Sequence, residues 1–95
     1  MANVSRVFGS WASSGPGHDF PPGGTHGWIA WGYGYGDVLS VTAHPVAGPP
    51  VDRALAVENL RSETHGTSRE FSFTVRNVGS TSIPGYGVGV AWVSG

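Results

Sequence analysis

Apolar residues in this chain recur at every second position, and Gly or Pro interrupts nearly every window long enough to make a helix. The pattern predicts an all-β protein. Val4 to Trp11 reads as the first strand, closed by Ser13-Ser14-Gly15-Pro16-Gly17, a loop by composition. A long connection follows through Phe20-Pro21-Pro22-Gly23-Gly24. Gly27 to Tyr35 and Asp37 to Val46 come next, as one long bent strand or as two, with Gly34 and Gly36 where a bend or bulge would fall. In the later segment Leu39, Val41 and Ala43 alternate with Ser40, Thr42 and His44. Pro45 and Ala47-Gly48-Pro49-Pro50 end it, because proline has no N–H for a ladder and restricts the residue before it.

The second half is more regular. Ala54 to Leu60 places Leu55 and Val57 on one face, and Arg69 to Val78 turns Phe71, Phe73 and Val75 inward with Ser72, Thr74 and Arg76 outward. His65-Gly66 falls in the connection between them. Tyr86 to Val93 puts Tyr86, Val88, Val90 and Trp92 on one face and Gly85, Gly87, Gly89, Ala91 and Val93 on the other. The expected fold is a small antiparallel β-sandwich, immunoglobulin-like or jelly-roll-like, formed as a single domain over residues 1–95.

One tract stands out from this alternation. In Trp28-Ile29-Ala30-Trp31-Gly32-Tyr33-Gly34-Tyr35-Gly36-Asp37 the two-residue period sets Ile29, Trp31, Tyr33 and Tyr35 on one face and Trp28, Ala30 and the glycines on the other. A row of rings opposite nearly bare backbone suits a surface on which something flat lies, whether a sugar ring, another sheet or another subunit.

Composition limits the partners. With 16 Gly, 7 Pro and no Cys among 95 residues, the chain loses much entropy on folding and has no disulfide to offset it, so association between copies is expected to complete the fold. Five Arg, at 6, 53, 61, 69 and 76, are dispersed and there is no Lys, which argues against nucleic acid and against an anionic membrane surface. No apolar run approaches a bilayer span, and residues 1–6 lack the basic region and apolar core of a secretory signal. Zero Cys leaves the compartment open.

The run Phe71-Ser72-Phe73-Thr74-Val75-Arg76-Asn77-Val78-Gly79-Ser80-Thr81, followed by a Pro-containing turn and an alternating strand, resembles bacterial immunoglobulin-like modules of the cell-adhesion-related (CARDB or NEW3) type. The resemblance covers residues 54–93. It implies an antiparallel sandwich used for binding or spacing, with no catalytic residues to carry over. Asn77 and Gly79 fit its turn because both residue types tolerate positive φ.

The chemistry on offer points to binding rather than catalysis. Sugar C–H groups stack on flat aromatic faces while polar neighbours orient the hydroxyls. The candidate ligand-binding residues are therefore Trp31, Tyr33 and Tyr35 for stacking and Asp37 and His26 for hydrogen bonding, with Thr25 and Asn77 as further polar groups. Trp11, Trp28, Tyr86 and Trp92 are the remaining rings of this kind, and Trp92 and Phe73 are assigned to the core. No Gly-x-Ser-x-Gly elbow, Cys nucleophile or paired carboxylate stands beside the tract, and Gly32-x-Gly34-x-Gly36 lacks the strand-loop-helix context of a phosphate loop. His18, His26, His44 and His65 lack the spacing of a zinc ribbon or finger, so no cofactor is expected; a metal-dependent enzyme or sensor is the weakest alternative. His44 has the most predictable strand position of the four, where its titration would act as a pH switch. The expectation is a non-catalytic, carbohydrate-binding module that forms a homo-oligomer; the rival is a structural or assembly protein whose aromatic face is the subunit interface.

Overall fold

The computed structural model describes residues 3–31, 38–46, 51–66 and 68–93, with side chains described at 9–30, 39–46, 51–66 and 69–91. Six strands form: β1 (Asn3–Ala12), β2 (Thr25–Trp31), β3 (Val38–Pro45), β4 (Leu55–His65), β5 (Ser68–Asn77) and β6 (Gly85–Val93). They make two three-stranded antiparallel sheets, β1-β6-β3 and β2-β5-β4. The chain is the all-β sandwich that its alternation predicts. β6 lies between β1 and β3, and β5 between β2 and β4.

The tract from Gly27 to Val46 therefore supplies two strands, one to each sheet, rather than one bent strand. Residues 32–37, between the two strands, lie outside the described residues. β4 runs five residues past the expected end at Leu60, because a register shift between Glu58 and Arg61 accommodates Asn59 and Leu60 opposite a single position of β5. Asn59 takes φ 55 there, and Gly66 at φ 64 makes the turn into β5. His65 is thus the last residue of a strand rather than part of a loop.

Inward positions of the two central strands supply the core. Phe73, Val75, Tyr86, Val88 and Val90 are at most 3% exposed, as the two-residue period requires. Val41, Ala43, Leu55 and Val57 pack against them from the outer strands β3 and β4. Phe20, between β1 and β2, and Ile83, between β5 and β6, close one end of the sandwich by exchanging a pair of backbone hydrogen bonds, both 2.9 Å.

Asn77 locks this end. Its side chain, 1% exposed, donates from Nδ2 to the carbonyls of Phe20 (3.0 Å) and Thr81 (2.9 Å) and accepts from the Gly79 N–H (3.0 Å). The amide is fully engaged with backbone, so Asn77 does not serve as a ligand-orienting group on the surface. Nor does the turn use positive φ at Asn77 or Gly79. A Cβ on Gly79 would lie 3.2 Å from the Ala54 nitrogen, so close approach of backbone, rather than a left-handed conformation, explains the glycine.

Candidate functional site

β1 and β2 are edge strands of different sheets, and they face each other across one side of the sandwich. No ladder joins them. Side chains fill the seam instead, and nearly all of them are aromatic. β2 turns His26, Trp28 and Ala30 toward the interior and leaves Thr25, Gly27 and Ile29 exposed. The face of the aromatic tract expected to be almost bare is therefore the one that packs, with Trp28 on it, while Ile29 on the opposite face is 47% exposed.

The seam depends on a small residue opposite a large one. Trp28 lies against Gly9 of β1, where an added Cβ would stand 2.9 Å from Trp28 Cζ3. The register of β1 on β6 shifts between Val7 and Gly9, at the same place. The Trp28 indole also runs parallel to the ring of its cross-strand neighbour Phe73, with centroids 6.3 Å apart and an interplanar angle of 1°. Its Nε1–H donates to the Tyr86 hydroxyl at 3.0 Å.

Further along, His26 is held on three sides. Its ring stacks on Phe20 at 4.1 Å and 15°, meets Trp11 at 4.8 Å, and places Nδ1 2.6 Å from the Tyr86 hydroxyl. Trp11 in turn stacks on Tyr86 at 5.7 Å. Asn77 reaches this group indirectly, since the carbonyl it holds belongs to Phe20. Burial lowers the His26 imidazole below its ordinary value because charging the ring there sacrifices hydration. Burial also raises the Tyr86 phenol above its usual range, partly opposed by the Trp28 N–H that favours the phenolate.

Between these rings the seam opens into a pocket of about 380 Å³, lined by Trp11, Thr25, His26, Gly27, Trp28 and Tyr86. Trp11, His26 and Trp28 are half-buried, so part of each ring borders solvent, whereas Tyr86 is 1% exposed and forms the base. The size lies at the lower end of the range for small-ligand sites. A second open cleft of about 380 Å³ crosses the outer face of β2, β5 and β4, between Gly27 and Ile29 on one side and Asn59 and Arg61 on the other. Charges beside it are already matched. Arg61 Nε bonds Ser72 Oγ at 3.1 Å and Glu63 at 2.8 Å, and Arg76 Nε bonds Glu58 at 2.7 Å.

Of the ligand-binding residues expected from the sequence, His26 is placed in the seam pocket together with Thr25. Trp31 is described only in its backbone, paired with Glu70, and Tyr33, Tyr35 and Asp37 lie outside the described residues. Phe73 is in the core at 3% exposure, as expected, and the Trp92 side chain is not described. Trp11, Trp28 and Tyr86 were recognisable as rings but not as one group. The local signal that joins them is parity, since His26 and Trp28 share a face of β2 once its alternation is extended upstream.

The other histidines stand apart. His44 is exposed on β3 and bonds Thr42 Oγ1 at 2.9 Å; His65 meets Glu63 at 3.1 Å; His18 lies in the exposed connection after β1. Among the described residues no group of three or more His, Asp or Glu is placed to hold a metal ion. Comparison with protein-family models, with curated protein sequences and with solved structures finds no match to this chain.

Proposed function

We propose that this chain is a non-catalytic binding module whose ligand is a carbohydrate seated in the seam pocket. The observation that carries the reading is the pocket's wall, with half-buried Trp11 and Trp28 and the polar edge of His26 around one open space. Flat apolar faces beside few polar groups are what a pyranose ring requires, since its C–H faces stack and its hydroxyls need directed partners. Thr25, exposed at the rim, is a second hydrogen-bonding group. The resemblance of residues 54–93 to CARDB or NEW3-type modules supports a role in binding or spacing.

Retention on a glycan array tests this, comparing the parent with Trp11→Leu, which keeps apolar bulk and removes the flat face. The expected result is loss of retention by a protein that still melts cooperatively, at a somewhat lower temperature because Trp11 also packs on Phe20 and Tyr86. Equal retention by both proteins would refute the seam as the site. The assembly reading is favoured by one feature, the exposed Ile29 on edge strand β2 directly before the tract containing Trp31, Tyr33 and Tyr35. Sedimentation of a Trp31→Ala, Tyr33→Ala variant separates the two. A fall in mass favours assembly through that tract.

A further inference from the structure

The seam holds a hydrogen-bond chain whose direction can be worked out. An indole N–H only donates, so Trp28 Nε1 gives its proton to the Tyr86 oxygen at 3.0 Å. Tyr86 is 1% exposed, and its own hydroxyl proton needs an acceptor; His26 Nδ1, at 2.6 Å, is the one in reach. Were Nδ1 protonated instead, the Tyr86 oxygen would receive two donors and its buried O–H would have nowhere to go. The chain therefore runs Trp28 to Tyr86 to His26, and it leaves the imidazole proton on Nε2. Stacking on Phe20 at 4.1 Å and contact with Trp11 at 4.8 Å fix the plane of the ring. Nε2 has no protein partner among the described residues and is not among their buried unsatisfied atoms, so solvent reaches it.

We propose that His26 is the specificity-determining donor of the pocket: its Nε2–H, fixed by Trp28 and Tyr86, selects a ligand that presents a neutral hydrogen-bond acceptor, a sugar hydroxyl or ring oxygen, beside the faces of Trp11 and Trp28. This rests on the carbohydrate reading for the identity of the ligand, but the tautomer does not. A donor held by a dedicated relay discriminates well because its orientation is set before the ligand arrives. Burial of the ring also keeps it neutral near pH 7, which suits an uncharged acceptor.

Two amide variants separate the ring's two nitrogens. In His26→Asn the side-chain oxygen stands near the place of Nδ1 and still accepts from Tyr86, whereas in His26→Gln the amide nitrogen reaches the place of Nε2. Ring nitrogen NMR of the parent is expected to show a pyridine-like Nδ1 and a pyrrole-like Nε2 for His26, and Tyr86→Phe is expected to abolish that preference. On an array of neutral mono- and oligosaccharides, His26→Asn should lose about tenfold or more in affinity for the glycan that the parent retains best, while His26→Gln keeps most of it. A His26 proton on Nδ1 overturns the relay and the proposal with it. Full binding by His26→Asn overturns the donor role even if the tautomer is as expected. If the parent retains no saccharide at all, the carbohydrate reading and the donor's assignment to it both fail, and an Nε2–H tautomer in the same sample shows that the failure lies in the ligand and not in the relay.

Discussion

Removing the Asn77 amide is the sharpest test of how the closed end of the sandwich is held. Asn77→Ala deletes three hydrogen bonds at a position 1% exposed. The Phe20 carbonyl keeps the Ile83 N–H at 2.9 Å, but among the described residues the Thr81 carbonyl and the Gly79 N–H have no other protein partner. An orphaned buried polar group costs about 1–3 kcal/mol, and since Thr81 and Gly79 are each half-buried, the expected loss is about 2–4 kcal/mol. A chain of this length has roughly 5–14 kcal/mol in all, so the midpoint of urea denaturation should fall well outside error at an unchanged slope. Asn77→Asp makes the test specific, because its shape is the same and it keeps an acceptor for the Gly79 N–H, while the oxygen that replaces Nδ2 faces the Phe20 and Thr81 carbonyls with no proton to donate. At pH 7.5 it should cost more than Ala. The buried carboxyl is expected to titrate above its unfolded value of about 3.9, so the folded state binds the extra proton, and the penalty shrinks as pH falls. Referencing each variant to the parent at the same pH removes other titrations. Loss of under about 1 kcal/mol in Asn77→Ala, or an Asp penalty that does not change with pH, would refute the claim that this amide organises the Phe20 and Thr81 connections.

Gly9→Ala should destabilise the fold by about 1–3 kcal/mol through overpacking and alter the near-ultraviolet circular dichroism of Trp28, because the new Cβ meets a ring already held by its hydrogen bond to Tyr86; a parent-like melt and spectrum would contradict the tight seam. The parent itself should lose stability as pH drops from about 6.5, since the folded-state value of His26 is lowered and the unfolded chain takes up the proton first; this contribution is complete above that pH and gone below the folded value, and His26→Asn should remove it from a denaturation series between pH 8 and 5.5. At the β4 bulge, Asn59 sits at φ 55, so Asn59→Gly should be within about 0.5 kcal/mol of the parent and Asn59→Val should cost about 1–2 kcal/mol by thermal melting, with equal effects arguing against strain there.

Strands were legible wherever burial on one face imposes alternation. Leu39, Val41 and Ala43 on β3 and Phe71, Phe73 and Val75 on β5 follow the period, and Gly and Pro mark most of the breaks. Pairing was not legible, because it joins positions such as Trp11 and Tyr86 that are remote in sequence, and alternation says nothing of which sheet a strand enters. The bulge was hidden for a different reason. Asn59-Leu60 carries no glycine, and only the need to keep Arg61 and Glu63 on the face of Glu58 while following β5 requires the extra residue. For the site, the sequence pointed to His26 by type and to a dense aromatic tract by composition, and parity separated Ile29 from Trp28, but it did not show that the Trp28 face, extended upstream to His26, forms the pocket. What brought the rings together was the Gly9 gap on another strand, which local pattern cannot supply.

The use of rings rather than aliphatic side chains along the β1–β2 seam follows from what that seam must do. Three-stranded sheets leave their edges near the core, so the residues between edge strands are half in water whatever their type. Leu or Val there would expose apolar area without return. Trp, Tyr and His bury a broad face and carry one polar atom, and here Trp28, Tyr86 and His26 satisfy one another in series. The relay needs only one of the two imidazole nitrogens. An Asn at position 26 could accept from Tyr86 without the second, so Nε2, with no protein partner among the described residues, is the part of the seam that packing does not account for. Under the proposed reading, that surplus donor ties the architecture of the seam to recognition.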